Sequence, residues 1–365
     1  GSALTVLNWI DQQAALDNLI ALISESPVIT LDTEFVRVST FHPKPGLIQI
    51  GVESKAFLID PLVGLDLEQL GNLLSGRITS ILHAAQEDYE VLFRLTGQLL
   101  GLAFDTQIAY ALLNAKISPS LSTLASELLG KEISKQETRS DWTRRPLSNA
   151  QCQYAKADVL VLEPLYEILL EQLEKAGRLD WMREEMQLIR DRTASILVDG
   201  DFEMQIHKFG NAWRLTPSGM SRLVHLVKWR EKTARRFDRP RKQVLSDQSV
   251  FSLATSGDIG RHHQLVSEHG LSDKQAGRYR EQLKSVIEYA TGTEPVEPPP
   301  PPLSKHLKEV FKERQSQVED IAQGLGIAPE MLVKKRQIVA SLDGREWRPA
   351  GWRKVVLEDV FHACG

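Results

Sequence analysis

The 365-residue sequence has little cysteine, no long apolar run and little net charge. Its two cysteines, Cys152 and Cys364, lie far apart and near no metal-type cluster, so neither a disulfide framework nor a zinc site is supported. No apolar stretch approaches the ~18 residues of a membrane span, and the amino terminus lacks the basic-then-apolar order of a signal peptide. The formal net charge of -4 excludes a uniformly basic nucleic-acid binder. We therefore expect a cytoplasmic protein with no membrane partner, and the sequence shows no sign of an obligate protein partner.

The first half of the chain alternates short strand-like runs with amphipathic helical segments. The strand-like runs, rich in β-branched residues, are PVITLDT, GLIQIGV, KAFLIDP and ITSILHA. The helical segments are DQQAALDNLIALIS, EDYEVLFRLTG and AKADVLVLEPLYEILLEQLEKAG, of which the last two end at Gly97 and Gly177. Because the first strands follow one another closely, as in hairpins, the pattern predicts a mixed α/β sheet rather than a purely parallel one.

After about Arg178 the strand signal disappears and the chain has the pattern of helices with polar turns. Six prolines between Pro295 and Pro302 favour an extended spacer, although a ligand for a proline-binding partner is an alternative. We expect an α/β domain followed by two small all-α bundles. The α/β domain is predicted over residues 1–205, the first bundle over 206–293, a linker over 294–302 and the second bundle over 303–365.

Two carboxylates, Asp32 and Glu34, lie at the end of the first strand-like run. Residues two apart on a strand point to the same side, so both carboxylates face one site. Like charges raise each other's pKa unless a positive charge lies between them, and Mg²⁺ is usually held by one or two carboxylates. The alternative is a strand that has simply reached solvent.

Two further acidic positions strengthen the metal hypothesis. In ILHAAQEDYEVLF, Asp88 falls in the first turn of a helix, where it could also be only an N-terminal helix charge. In QYAKAD, Tyr154 and Asp158 lie one helical turn apart, an arrangement that also occurs on solvated surfaces. Taken together, four carboxylates match what two metal ions need for phosphodiester cleavage, and a tyrosine hydroxyl beside them can orient the attacking water.

The segments LDTEFVR, LIQI, LHAAQED, DTQ, RSDWTRRPLS and QYAKAD resemble, in order and spacing, the motifs of ribonuclease D. This is a DEDD-type family of 3′-to-5′ exoribonucleases with a tyrosine in the third motif. The resemblance implies a ribonuclease-H-like fold, two Mg²⁺ or Mn²⁺ ions, and release of nucleoside 5′-monophosphates from RNA with a free 3′ end. It also implies that four residues bind metal and a fifth, Tyr154, orients water; the four are Asp32, Glu34, Asp88 and Asp158.

Three residues near these motifs are candidates for contact with substrate. Phe35 could wedge against the terminal base, although a core phenylalanine would fit the pattern equally. Gln49 alternates with apolar neighbours and could turn towards the site. His83 precedes the second motif, where a buried, hydrogen-bonded histidine is the alternative to a ligand.

The loop sequence ETRSDWTRRPLS is a further candidate for binding substrate. Arg139, Arg144 and Arg145 bracket Trp142, a mixture suited to a phosphate and a base. Pairing between Arg139 and Asp141 inside the loop is the alternative.

In the helical half, KWREKTARRFDRPRK contains eight basic and two acidic residues. Such a run is either a solvated helix face or a patch that binds a polynucleotide backbone. The segment around it resembles the helicase-and-ribonuclease-D C-terminal (HRDC) module, and block 303–365 could be a diverged second copy.

The acidic residues predict a metal-dependent phosphodiesterase site, and the family resemblance implies a 3′-to-5′ exoribonuclease that trims structured RNA precursors, tRNA precursors above all. Two alternatives stay open at this point. One is a 3′-to-5′ exonuclease that acts on DNA, because the sequence does not reveal contacts to a 2′-hydroxyl. The other is a non-catalytic RNA-binding scaffold.

Overall fold

The computed structural model describes residues 8–342 and 347–361, which form two compact units. The first unit contains Lys44–Ala194 together with the described residues before Arg37 and after Pro302. The second unit contains Arg37–Pro43 and Ser195–Pro302. None of the described helices is both long enough and apolar enough to cross a membrane.

Six strands form one sheet in the first unit, in the order β1-β4-β3-β2-β5-β6. In chain order they are β1 (Trp9–Ile10), β2 (Val28–Val36), β3 (Lys44–Val52), β4 (Lys55–Ile59), β5 (Thr79–Leu82) and β6 (Ala103–Asp105). The pairs β2–β3 and β3–β4 are antiparallel, whereas β1–β4, β2–β5 and β5–β6 are parallel. The predicted mixed sheet and its four predicted strands are confirmed. Strands β1 and β6 were not predicted because two or three residues carry no periodic signal.

Eight helices accompany this sheet along the described chain as far as Asp199. They are α1 (Gln13–Ser24), α2 (Glu68–Leu74), α3 (Gln86–Thr96), α4 (Thr106–Ala111), α5 (Leu121–Leu129), α6 (Asn149–Leu160), α7 (Leu162–Lys175) and α8 (Leu179–Asp199). As predicted, α3 ends at Gly97, whose φ of 72° is the left-handed conformation that glycine accepts without strain. The single helix predicted up to Gly177 is instead two helices, α6 and α7. Pro164, in the first turn of α7, has no N–H to bond the preceding turn, which is consistent with a break at this point.

The described C-terminal residues are helical but do not form a core of their own. Their helices are α15 (Lys305–Leu325), α16 (Pro329–Leu332), α17 (Lys335–Ala340) and α18 (Trp352–Val356). Val318 and Ala322 of α15 lie in one apolar cluster with Leu165 and Leu169 of α7. This differs from the predicted separate domain over 303–365, because the apolar face of α15 is covered by the α/β domain. Whether the block is a diverged copy of the preceding module stays a prediction.

The second unit is a helical bundle around its own apolar cluster. Its helices are α9 (Phe202–His207), α10 (Pro217–Phe237), α11 (Arg241–Val244), α12 (Asp247–Ser256), α13 (His262–Ser267) and α14 (Asp273–Thr291), with a 3₁₀ turn at Ala212–Arg214. The predicted helical pattern of this half is confirmed, and Thr216, Ser246 and Ser272 each cap the first turn of a helix through the side-chain oxygen. The segment Pro295–Pro302 contains neither helix nor strand.

Candidate active site

Alternation along β2 places Asp32 and Glu34 on one face of the sheet. Ile29 and Leu31 lie in the apolar cluster shared with α1 to α3, so the residues that alternate with them, Asp32 and Glu34 among them, point to the opposite face. On β3, Gln49 lies directly opposite Asp32. Its Nε2 donates to Glu34 Oε1 at 3.2 Å and lies 3.5 Å from Asp32 Oδ2. The structure therefore places Gln49 beside both carboxylates.

Asp158 lies on helix α6 and faces the same side of the sheet as Asp32 and Glu34. The residue after it, Val159, joins α6 to the sheet through a hydrogen bond. The Oγ1 of Thr30 donates to the carbonyl oxygen of Val159 at 2.9 Å, and this carbonyl lies at the end of α6, where intrahelical partners run out. Gly51 on the adjacent strand leaves room for this contact, since a Cβ there would lie 2.0 Å from Thr30 Oγ1. The start of α6 is fixed by a capping box at Ser148.

Asp88 lies in the first turn of α3, next to Thr33 of β2, and is buried. One of its carboxylate oxygens accepts a hydrogen bond from Thr33 Oγ1. The turn before α3 is held by Asp105, whose carboxylate accepts from Ala84 N at 3.0 Å and Ala85 N at 2.9 Å. Ala84 has a φ of 54°, a conformation that a non-glycine residue rarely adopts without such support. Asp105 is thus a positioning residue, a role that its place in the DTQ motif does not indicate.

Carboxylate oxygens of Asp32, Glu34 and Asp158 lie within 4.8 Å of one another. Burial raises the pKa of Asp32 to about 7, and burial together with the charge of Asp32 raises the pKa of Asp158 to about 8. Burial first, and then the neighbouring carboxylates, raise the pKa of Glu34 well above its ordinary value. The pKa of Asp88 is raised in the same direction by burial and by Asp32. A concentrated set of oxygen donors without neutralising charge fits a hard divalent cation.

Tyr154 lies beside this cluster and keeps its proton. Its hydroxyl is 3.1 Å from Thr138 Oγ1, and it lies close enough to Asp158 to be influenced by the charge of that carboxylate. Burial and the charge of Asp158 raise the pKa of Tyr154 above its ordinary value, so the phenol is a hydrogen-bonding group at neutral pH and not a base.

Two residues of the predicted substrate-binding loop, Trp142 and Arg145, have their partners inside the protein instead. Trp142 is only 1% exposed and packs in a cluster with Leu47 and Leu58. The guanidinium of Arg145 donates to Asp60 Oδ1 at 2.9 Å, to the Gly46 carbonyl at 2.6 Å and to the Trp142 carbonyl at 2.8 Å. The structure therefore contradicts base stacking by Trp142 and phosphate binding by Arg145, because burial and internal hydrogen bonds already use both side chains.

Gly46 explains how this loop fits against the sheet. The pairing of β2 with β3 shifts by one residue between Glu34 and Phe35, which leaves Gly46 as the extra residue of a bulge. A Cβ at Gly46 would lie 2.6 Å from both the Cβ and the carbonyl oxygen of Trp142.

We expect Gly46→Ala to destabilise the first unit by roughly 2–4 kcal/mol, because the Trp142 backbone must move and core packing is lost. Thermal unfolding measures the effect. Gly324→Ala is a matched control in the same unit, since a Cβ there meets nothing within 4 Å. Equal melting temperatures for the two variants would contradict the close approach of Gly46 and Trp142.

Phe35, His83 and Arg139 are the other residues predicted to contact substrate. Phe35 is half-buried at the end of β2. His83 is not free to act as a ligand, because its Nδ1 lies 2.8 Å from Thr106 Oγ1 and its Nε2 lies 3.0 Å from the Pro119 carbonyl oxygen. Arg139 is exposed.

The alternative pairing of Arg139 with Asp141 is not formed in the described loop. Asp141 Oδ1 instead accepts from the amide of Thr143 at 3.0 Å and from its hydroxyl at 2.6 Å.

The basic stretch of the second unit is partly internal. Arg230 is 2% exposed and pairs with Asp247 at 2.7 Å. The buried carboxylate of Glu231 accepts from Arg241 at 2.8 Å and from Arg235 at 3.3 Å. Four other cations of the stretch are exposed, namely Lys232, Arg236, Arg239 and Lys242. The predicted binding of a polynucleotide backbone therefore depends on these exposed cations rather than on the whole run.

Comparison with known proteins identifies the family. A family described as 3′-5′ exonuclease matches residues 7–174, and the HRDC domain family matches residues 220–287. Ribonuclease D of Pseudomonas paraeruginosa is 33% identical over 339 residues, which cover 92% of this chain and 89% of that protein. This chain belongs to the ribonuclease D family. Ribonuclease D of Escherichia coli is 31% identical over 365 residues, and its solved structure matches with a TM-score of 0.84 over 97% of both chains.

Membership of the ribonuclease D family confirms two predictions from the sequence. The first is the ribonuclease-H-like α/β domain followed by a helical HRDC region. The second is that the protein is a 3′-to-5′ exoribonuclease. An exonuclease domain with an acidic cluster also indicates dependence on a divalent metal. The solved E. coli relative is an exoribonuclease involved in structured RNA processing.

Proposed function

We propose that this protein shortens structured RNA precursors, tRNA precursors among them, from the 3′ end and releases nucleoside 5′-monophosphates. We further propose that it does so in the cytoplasm and with Mg²⁺ or Mn²⁺. The observation that carries the proposal is the convergence of three carboxylates, whose oxygens lie within 4.8 Å of one another although they come from a strand and a distant helix. Repelling groups of this kind need a cation, and a phosphodiester is a natural further ligand.

The metal ligands of this proposal are Asp32, Glu34, Asp88 and Asp158. When bound, a pair of divalent ions would supply Lewis-acid stabilisation and activation of water. The chain itself fixes the donors. Asp105 and Thr33 orient Asp88, while Gln49 holds Glu34 in place through its amide.

Tyr154 is proposed to orient the attacking water through its hydroxyl, which lies 3.1 Å from Thr138 Oγ1 and within the electrostatic influence of Asp158. Tyr154→Phe should slow the chemical step by roughly 10²-fold, in the lower range of effects from groups that act on protons in catalysis, and should leave metal affinity unchanged. Single-turnover hydrolysis and Mn²⁺ titration measure the two quantities. An unaltered single-turnover rate would remove the water-orienting role.

Degradation of a 3′-extended, tRNA-like RNA labelled at its 5′ end tests the proposed substrate and reaction. We expect stepwise shortening that stops at the structured stem, 5′-monophosphate products, and full loss of hydrolysis with a chelator. A DNA oligonucleotide of the same sequence separates RNA from DNA hydrolysis, and equal rates on both would contradict the proposed preference for RNA. Internal cleavage, or activity that survives the chelator, would contradict the proposed mechanism.

A further inference from the structure

An open groove of about 320 Å³ lies on the second unit and is lined by residues of helices α10 and α14. Four lining residues come from α10, with the later three lying three, four and seven residues after the first, so they share one face; they are His225, Lys228, Trp229 and Lys232. From α14, Ser285 and Tyr289 lie one turn apart.

The aromatic rings of this groove are held in place by their neighbours. Trp229 Nε1 donates to Gln282 Oε1 at 3.2 Å, and the Trp229 ring meets the buried Tyr279 ring edge-on at 5.2 Å. Tyr289 meets His225 edge-on at 5.2 Å, yet 66% of Tyr289 is exposed. A large aromatic side chain that is both oriented and exposed offers a preformed stacking surface.

Two ammonium groups border the same groove. Among the residues that the structure describes, neither Lys228 nor Lys232 pairs with a carboxylate, and none of the groove-lining residues is acidic. The ammonium of Lys228 lies 6.0 Å from the centre of the Phe202 ring. The groove thus combines aromatic faces with positive charge, the two features by which proteins hold unpaired nucleotides.

We propose that this groove binds one unpaired nucleotide of the RNA substrate, such as a bulged or loop nucleotide of the structured part. The base stacks on Tyr289 and Trp229, and the adjoining phosphate is bound by Lys228 and Lys232. The inference rests on the proposed function, because it assumes that the substrate is structured RNA. It gives the second unit a means to recognise an irregularity in an RNA stem.

Binding to two RNA hairpins tests the groove, with the Asp158→Asn variant of this chain as the parent so that the RNA stays intact. The hairpins have the same short 3′ tail and differ only by one bulged nucleotide. Tyr289→Ala should weaken binding of the bulged hairpin by roughly tenfold, as expected for loss of one stacked base, and leave the fully paired hairpin within about twofold. Tyr289→Phe should bind as the parent does, because the ring is kept.

A charge-matched pair of variants tests the lysines. Lys232→Ala should weaken the bulged hairpin more than Lys284→Ala, which removes the same charge from an exposed position of α14 outside the groove. Equal effects of these two variants, or equal affinity of Tyr289→Ala and its parent for the bulged hairpin, would overturn the proposal. An equal loss by Tyr289→Ala on both hairpins would also overturn it.

Failure of this proposal can be told apart from failure of the proposed function. The unmodified chain is assayed for Mn²⁺-dependent hydrolysis of a four-nucleotide RNA without any structured part. Hydrolysis together with unchanged binding by Tyr289→Ala would refute only the groove. Absence of hydrolysis would refute the proposed reaction, whatever the hairpins show.

Discussion

Asp158→Asn is expected to reduce RNA hydrolysis by about 10³-fold or more while RNA binding stays nearly unchanged. The substitution keeps the shape of the side chain but removes one charge from a cluster whose oxygens lie within 4.8 Å of one another. Metal ions contribute several kcal/mol of charge stabilisation in such sites, and about 1.4 kcal/mol corresponds to tenfold in rate. Asp32→Asn should have the same effect, because Asp32 belongs to the same cluster of carboxylates as Asp158.

Single-turnover hydrolysis with Mn²⁺ and a separate binding titration measure the two effects. Asp180→Asn is a suitable control, since its carboxylate is exposed and forms an ion pair with Arg183 on the same helix. Substantial metal-dependent activity in either Asp158→Asn or Asp32→Asn would refute the assignment of the active site. A parallel loss of RNA binding would instead assign these carboxylates to substrate affinity.

The metal-free protein is expected to lose stability as the pH rises from about 4 to about 8, and Mn²⁺ should restore it at the upper end. The pKa of Asp32 rises from 3.8 to about 7 and that of Asp158 from 3.8 to about 8, so the folded state binds more protons than the unfolded chain. Stability then falls with pH between the ordinary and the raised pKa values. The free energy of unfolding should fall by several kcal/mol over this range. We expect a melting temperature on the order of 5 °C lower at pH 8 than at pH 5.

Thermal unfolding of chelator-treated protein at several pH values measures this dependence. At pH 8 Mn²⁺ should raise the melting temperature, whereas at pH 5 protons occupy the carboxylates and the metal should have little effect. Asp158→Asn should flatten the pH dependence and melt higher than the unmodified chain at pH 8 without metal. A melting temperature that rises from pH 5 to pH 8 without metal would contradict the raised pKa values.

Local sequence patterns were sufficient to predict much of the fold. The strands that contain VITLDT and LIQI, and the helices that begin after Thr216, Ser246 and Ser272, follow from alternation and capping within a few residues. Asp32, Glu34 and Asp158 could also be assigned to one site, because carboxylates at these spacings match a family motif. The two-residue strand β1 and the covering of α15 by the α/β domain carry no local signal.

The sequence by itself determined that this protein is an exoribonuclease, because the order of its acidic residues and of Tyr154 matches the motifs of the family and names the groups proposed to bind metal and orient water. Only the tertiary structure decided what the polar and aromatic residues around them do. Trp142, Arg145 and His83 have the composition of a substrate-binding surface, yet each is used internally by burial or by hydrogen bonds. The physical reason is that the partners of these side chains, such as Gly46, Asp60 and Pro119, are distant in sequence and become neighbours only when the chain has folded.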